Sequence, residues 1–254
     1  MDYTRIVPCL DVKDGRLVKG VHFVELKEMG DPAEAGHAYA DAGADELVFL
    51  DITATVEARK TTLEAVRRTV EGLACPLTVG GGIASLDDIR RLFDVGVRKA
   101  SMNTAAVRDP ELIRRAAEAF GGERITVAID TRNSAEVPSG FEVMVNGGRT
   151  GTGKDAVAWA QQAEQLGAGA ILPTSMETDG VQTGYDIPMT RAIADAVSVP
   201  VIASGGAGEL EHLSEAVLEG HAAAVLVASI AHFGKFTIRQ MKEHLQSKGI
   251  AVRL

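Results

Sequence analysis

Two aspartates, Asp11 and Asp130, end the short apolar segments IVPCL and RITVAI. Because side chains alternate along a strand, Asp11 should share its face with Cys9. Leu10 and Ile129 should then point to the opposite face, toward packed helices. Two carboxylates that face one pocket suit general acid and base catalysis when their surroundings separate their pKa values. A single aspartate at a strand end more often caps a turn, but a pair at matched positions favours catalysis.

Glycine-rich corners follow several apolar segments and indicate phosphate binding. Glycine lets backbone N–H groups approach an anion, and helix N-termini add a favourable partial charge. The candidates fall into two groups, which predict an elongated ligand with a phosphate at each end. The first group is Gly81, Gly82, Asn103 and Thr104, and the second is Asp179, Gly180, Gly205, Gly206, Ala228 and Ser229. Either glycine cluster taken alone is also compatible with a plain turn.

Two long segments between apolar runs are candidate loops. The length of the segment over residues 13–30 indicates a lid over the site. Within it, Lys19 either contacts a phosphate or is a solvated surface lysine. Residues 148–154 approach a nucleotide-binding P-loop, but Asp155 stands where that motif needs Ser or Thr. We interpret this second stretch as a flexible loop that ends in the cap of a helix containing Trp159.

Eight short apolar segments rich in Val, Ile and Leu must position these residues. They cover residues 6–12, 46–52, 76–81, 99–103, 124–130, 170–175, 200–206 and 223–229, with helical patterns between them. Near-continuous apolar runs indicate strands buried on both faces of a parallel sheet. Each strand–helix unit has roughly thirty residues, the size of a βαβ element. The sequence therefore predicts an α/β fold, a single (β/α)8 TIM barrel over residues 1–254, with a doubly wound open sheet as the alternative.

The two halves of the sequence resemble each other and predict two half-barrels, at about residues 1–123 and 124–254. Gly82, for example, has a counterpart 124 positions later at Gly206. Any parallel barrel shows faint self-similarity, but a near-constant offset across several landmarks favours a true repeat.

Composition excludes several classes of protein. A formal net charge of −9 argues against nucleic-acid binding, because no basic face is available for phosphate backbones. The apolar runs are short and broken by charge, so we expect neither a membrane span nor a secretory signal. Two cysteines exclude a disulfide scaffold and fit the cytoplasm. The six histidines lack metal-ligand spacing, so we expect no metal and no cofactor.

Three charged residues stand at the opposite end of the predicted strands from the candidate catalytic loops. Arg5, Glu46 and Lys99 lie at the starts of the first, second and fourth apolar segments. Charges at the amino-terminal face of a barrel usually serve stability, so these residues alone indicate a structural ion-pair plug.

A series of motifs resembles a known family. CLDVKDGRLVKG, ELVFLDITAT, TVGGGI, NTAAV, VAID, DGVQTGYD, VIASGGAG and GIAVRL lie in order along the chain. Over essentially its whole length the sequence resembles the cyclase subunit of imidazole glycerol phosphate synthase. The alternatives are the phosphoribosyl formimino isomerase of the same pathway, which has the same fold and symmetry, and a non-catalytic barrel that binds a phosphorylated ligand.

The resemblance implies a lyase of L-histidine biosynthesis. Its small-molecule substrate is a bisphosphate, phosphoribulosyl-formimino-AICAR ribonucleotide, which ammonia attacks to give imidazole glycerol phosphate and AICAR. The family's acid and base correspond to Asp11 and Asp130, and its loop lysine to Lys19. The family's phosphate contacts fall within the two groups named above.

The resemblance also gives the charged base a function. A glutaminase subunit docks on that face to form a heterodimer, and its ammonia passes a gate of four charged residues into the barrel. Arg5, Glu46 and Lys99 match three of them. The fourth, normally Glu, corresponds to Ala170, and Pro173 stands where the family has Leu or Asn. With two bases and one acid left, we expect one base to lack a buried partner.

Overall fold

The computed structural model describes residues 3–21, 24–52 and 58–254. Within these ranges eight parallel strands build the barrel, and each overlaps one of the predicted apolar segments. They are β1 (Arg5–Lys13), β4 (Leu47–Asp51), β5 (Leu77–Gly80), β6 (Lys99–Met102), β7 (Ile125–Asn133), β10 (Ala170–Ser175), β11 (Ile202–Ala203) and β12 (Ala224–Val227).

These strands follow one another around the barrel. Hydrogen bonds join β11, β12, β1, β4, β5, β6 and β7 in that order, and β10 pairs with β7. Isolated parallel bridges from Ile171 to Val201 and from Thr174 to Ser204 connect β10 to the segment around β11. The predicted α/β barrel is confirmed.

Ten helices lie between or after the strands in the described part of the chain. They are α1 (Pro32–Asp41), α2 (Ala58–Val70), α3 (Leu86–Asp94), α4 (Thr104–Arg108), α5 (Glu111–Phe120), α6 (Ala156–Gln165), α7 (Ile187–Ala194), α8 (Leu210–Leu218), α9 (Ser229–His232) and α10 (Ile238–Ser247). Side-chain caps start several of them; Asp31, for instance, accepts the N–H of Ala33. None of the helices in the described ranges combines the length and apolarity needed to cross a membrane.

Strand side chains divide between the barrel interior and the helices. The interior cluster contains Val7, Cys9, Val48, Ala170, Leu172, Ile202, Ala224 and Leu226. Leu10 and Ile129 belong instead to a larger cluster that includes helix residues such as Ile113. The two faces predicted for the aspartate-bearing strands are therefore confirmed.

The prediction of a loop over residues 13–30 is wrong for most of that segment. It forms two antiparallel strands, β2 (Arg16–Val21), which pairs with β1, and β3 (Val24–Gly30). The turn into β2 is Asp14–Gly15, with φ of 51° and 76°. An Asp-Gly pair with positive φ favours a two-residue hairpin turn, and this local signal decides the structure. Lys19 lies in β2, but its side chain is outside the described part, so its function stays a prediction.

Residues 148–154 are also not the flexible loop that we predicted. β8 (Phe141–Val145) and β9 (Thr150–Asp155) pair in antiparallel fashion. Asn146 has a φ of 57° and leads into two glycines, so the turn residues again favour a hairpin. The second half of the interpretation is confirmed, since Asp155 caps α6 by accepting the N–H of Ala158, and Trp159 is buried in that helix.

Candidate active site

Asp11 and Asp130 lie on opposite sides of the barrel. Asp11 is in β1 and Asp130 in β7, and three strands separate β1 from β7 in either direction around the ring. Both residues are near the carboxyl ends of their strands, where barrel enzymes build active sites. Asp11 is 6% exposed, and its Oδ1 lies 3.4 Å from Sγ of Cys9, which faces the interior. The structure thus places the two carboxylates on strands at opposite sides of the barrel, and their catalytic roles stay predictions.

The surroundings of Asp130 change its acidity. Burial of the carboxyl group raises the pKa of Asp130 to about 6. A hydrogen bond from the Asn103 side chain lowers this pKa, and the nearby negative charge of Asp179 raises it. Oδ1 of Asn103 is buried and has no hydrogen-bond partner within the described residues, which fits an amide whose NH2 group faces Asp130. Asp130 therefore exchanges a proton near neutral pH more readily than an ordinary aspartate.

The neighbours of Asp130 differ from what the sequence indicates. The sequence assigns Asn103 and Asp179 to opposite phosphate groups, whereas in the structure both side chains influence the pKa of one carboxyl group. Strand alternation does not predict this, because Asn103 precedes α4 and Asp179 lies in the turn after β10. Contacts of these two residues with phosphate stay predictions.

Two of the predicted glycines are needed by the backbone itself. Gly81 and Gly206 have φ of +94° and +107°, a conformation that side chains rarely adopt. A Cβ at Gly81 would collide with the carbonyl oxygen of Asp51, and one at Gly206 with that of Gly184. Gly82 and Gly205 adjoin them in the same two loops. The corners are therefore tight turns at the ends of β5 and β11, and this is compatible with phosphate binding.

We expect Gly81→Ala to lower the free energy of unfolding by about 3 kcal/mol, because left-handed strain and a backbone collision add together. Gly140→Ala is the matched control, since Gly140 has a φ of +83° but nothing within 4 Å of its Cβ position. The control should lose about 1–2 kcal/mol. Urea unfolding measures both, and equal losses would show that the close approach to Asp51 has no energetic weight.

Short helices follow β6 and β12 at corresponding places. Asn103 and Ala228 precede them with similar backbone angles, φ −126° and ψ −96° against φ −132° and ψ −80°. Within the described residues neither position makes a side-chain cap, so the first N–H groups of α4 and α9 are uncapped. Thr104 Oγ1 accepts the N–H of Asn146 at 2.9 Å. Barrel enzymes often bind phosphate at a short helix of this kind, and Ser229 begins α9.

The turn after β10 packs on the glycine corner after β11. Thr178 Oγ1 donates to the carbonyl oxygen of Gly205 at 3.1 Å. The Cα of Asp179 lies 3.4 Å from the Cβ position of Gly205. The structure thus brings Asp179, which Gly180 follows in the chain, to the glycine corner of the second predicted phosphate group. The charge of Asp179 also acts on Asp130.

The charged residues at the barrel base form one cluster, in which Arg5 and Glu46 are buried and Lys99 is partly buried. Oε2 of Glu46 is 2.7 Å from both Arg5 Nη1 and Lys99 Nζ, and Thr78 Oγ1 donates to its Oε1 at 2.6 Å. The expectation that one base lacks a buried partner is wrong, because the two bases share a single carboxylate oxygen. Ala170 lies in the apolar interior cluster. Thr78 is a member of this cluster that charge-based sequence reasoning missed.

Pro173, which stands where the resembled family has Leu or Asn, lies away from this cluster. Pro173 pairs with Ile129 across β10 and β7, and Ile129 packs on the helix side of the sheet. Because paired residues point to the same face, Pro173 also points away from the barrel interior. It therefore does not alter the interior beside the base.

Sequence reasoning also missed a second buried ion pair near the base. Lys242 on α10 is almost fully buried, and its Nζ lies 2.9 Å from Oδ1 of Asp45. The same Nζ donates to the carbonyl oxygens of Gly43 and Arg253 at 2.6 Å each. This pair ties α10 and the residues after it to the loop before β4. A lone lysine in an amphipathic helix carries no sequence signal for such a contact.

A family model described as "Histidine biosynthesis protein" matches residues 5–237. The chain belongs to this family. Its members are enzymes of the histidine pathway with a TIM-barrel fold, and they include an isomerase and a cyclase. Among residues 3–21, 24–52 and 58–254, this histidine biosynthesis protein has no group of three or more His, Cys, Asp or Glu side chains arranged to hold a metal ion.

Proposed function

We propose that this chain is the cyclase of the pathway, a lyase that converts phosphoribulosyl-formimino-AICAR ribonucleotide and ammonia into imidazole glycerol phosphate and AICAR. The observation that supports the cyclase over the isomerase is the largely buried cluster of Arg5, Glu46 and Lys99. Taking these charges out of water is costly, and apolar residues usually stabilise such a position at least as well. A barrel that admits a small reagent through its base has a use for this cluster, whereas an isomerase acting only at the mouth has none.

The strand order supports a bisphosphate lying across the mouth. β5 and β6, which precede the first phosphate group, lie opposite β11 and β12, which precede the second. Of the four strands between these two pairs, β1 adjoins β12 and β7 adjoins β6, on opposite sides of the ring. Asp11 and Asp130 therefore flank the middle of a ligand that spans the two groups. An elongated substrate with a phosphate at each end therefore presents its reacting centre to both carboxylates.

Proton transfer is the chemistry that the two carboxylates supply. Ammonia that attacks a carbonyl carbon must lose a proton, and the carbonyl oxygen must gain protons to leave as water. Asp130, whose pKa burial raises to about 6, can accept and return a proton near neutral pH. Asp11 serves the other flank of the substrate. These steps need no cofactor, and ammonia would come from a glutaminase subunit docked at the amino-terminal face of a cytoplasmic heterodimer.

The test is a comparison of two reactions on the purified chain. We expect turnover of the bisphosphate with ammonium salt alone at high pH, and with glutamine only after a glutaminase is added. Asp11→Asn should abolish this turnover and leave the fold intact. Isomerisation of the preceding pathway intermediate without cyclisation would reject the proposal in favour of the isomerase. Tight binding of the bisphosphate without any conversion would favour a non-catalytic barrel.

A further inference from the structure

A chain of hydrogen bonds joins α1, α9 and β1. The hydroxyl oxygen of Tyr39 lies 2.8 Å from Nδ1 of His232, and Nε2 of His232 lies 2.8 Å from the carbonyl oxygen of Cys9. A carbonyl oxygen only accepts, so Nε2 carries a hydrogen and donates it to Cys9. On the other side of the ring, Nδ1 contacts the hydroxyl of Tyr39, whose pKa burial raises to about 12. The two contacts, one at each ring nitrogen, therefore fix the orientation of the imidazole.

His232 extends the hydrogen-bonded edge of β1 beyond the end of β12. The pairing of β1 with β12 stops at Pro8 and Val227. The carbonyl of Val12 accepts from the residue after β4 and so faces that strand. Because carbonyl directions alternate along a strand, the carbonyl of Cys9 faces the β12 side. The imidazole N–H of His232 therefore binds the carbonyl oxygen of Cys9 in the place that a backbone N–H would take if β12 continued.

This position connects two parts of the proposed site. His232 ends α9, and Ser229 at the start of that helix is a candidate phosphate contact. Cys9 lies two residues before Asp11 on the same face of β1, with its Sγ 3.4 Å from Oδ1 of Asp11. Tyr39 packs against both large clusters of the core, so its hydroxyl is held in place.

We propose that His232 is a positioning residue that sets the phosphate-binding end of α9 relative to Asp11, an inference that rests on the proposed function. Loss of the His232 side chain leaves both phosphate groups of the site able to bind substrate, but lets α9 and β1 shift against each other. A displacement of about 1 Å at a reacting centre can cost about 100-fold in rate. The loss should therefore lower kcat more than it changes KM.

Two substitutions at this position separate its contacts. In His232→Gln the side-chain Nε2 still reaches the carbonyl of Cys9, whereas in His232→Asn the shorter amide reaches only the side of Tyr39. We expect His232→Asn to lower kcat about tenfold with KM within about twofold of wild type, and His232→Gln to keep most of kcat. Rates are measured well below the Tm of every variant. His221→Asn, the same change at an exposed histidine that contacts the exposed Asp195, is the matched control and should leave kcat unchanged.

Wild-type kcat in His232→Asn, or an equal fall in the Asn and Gln variants, would overturn the positioning role. The wild-type chain is assayed in parallel for cyclisation with ammonium and for isomerisation, and the variants are compared in the reaction that it catalyses. Failure of the wild type to cyclise thus rejects only the proposed function. The ratio between the Asn and Gln variants still decides the role of His232.

Discussion

Replacing Asp130 with Asn is expected to lower kcat for cyclisation by about two to four orders of magnitude, because Asn cannot exchange a proton with the substrate. The same change should raise the free energy of unfolding at pH 7. Asn keeps the shape of the side chain and an oxygen that accepts from Asn103, but removes a charge that is buried and repelled by the charge of Asp179. Steady-state kinetics and urea unfolding measure the two effects on one preparation.

The direction of the stability change follows from the pKa of Asp130. Burial raises this pKa from 3.8 to about 6, so between these values the folded protein holds a proton that the unfolded chain has lost. Stability contributed by the protonated group is therefore lost as the pH rises through that window. A shift of about two pH units corresponds to about 3 kcal/mol. Because the unfolded group is already partly ionised at pH 4, the wild type should lose about 2 kcal/mol of this relative to Asp130→Asn between pH 4 and pH 7.

Asp179→Asn provides the control for this interpretation. The negative charge of Asp179 raises the pKa of Asp130, so its removal should lower that pKa. NMR titration of the Asp130 carboxyl carbon measures the change directly. A stability difference between wild type and Asp130→Asn that is the same at pH 4 and pH 7 would contradict the account.

Replacing Glu46 with Gln should lower the free energy of unfolding by about 3 kcal/mol, because it leaves the buried Arg5 and the partly buried Lys99 without their anion. Gln still accepts the hydroxyl hydrogen of Thr78, so the loss reports the charge on Glu46. Arg5 and Lys99 both depend on its Oε2. Urea unfolding of the variant and the wild type measures the difference.

A triple variant tests whether charge imbalance is the cause. Arg5→Met, Glu46→Gln and Lys99→Met together leave no charge in the cluster and keep an acceptor for Thr78, so stability should return to within about 1 kcal/mol of the wild type. A loss below about 1 kcal/mol in Glu46→Gln alone would mean that water solvates the cluster. Under the proposed function, the triple variant should alter glutamine-supported turnover and leave ammonium-supported turnover unchanged.

Much of the fold is predictable from the sequence because its signals are local. Each barrel strand overlaps an apolar run, since strands buried on both faces need Val, Ile and Leu along their whole length. The hairpins after β1 and β7 were equally predictable from Asp14–Gly15 and from Asn146 with its following glycines. Length and polarity suggested loops there, but positive-φ turn residues decide the local structure. The half-barrel repeat stays a prediction.

The candidate site is only partly predictable. Strand alternation places Asp11 and Asp130, because their positions depend on the period of the strand alone. The approach of Asn103 and Asp179 to Asp130 depends on how the ends of β6 and β10 turn over the barrel, which no spacing in the sequence encodes. Counting charges failed at Glu46, since a count does not show that one carboxylate oxygen can serve two bases.

The central claim is that ammonia reacts with the middle of a bisphosphate held between Asp11 and Asp130. The most direct measurement incubates the purified chain with phosphoribulosyl-formimino-AICAR ribonucleotide and ¹⁵N-ammonium, followed by mass spectrometry of the products. We predict one ¹⁵N atom in imidazole glycerol phosphate and none in AICAR. Recovery of the bisphosphate without label, or of an isomerised product only, would contradict the account.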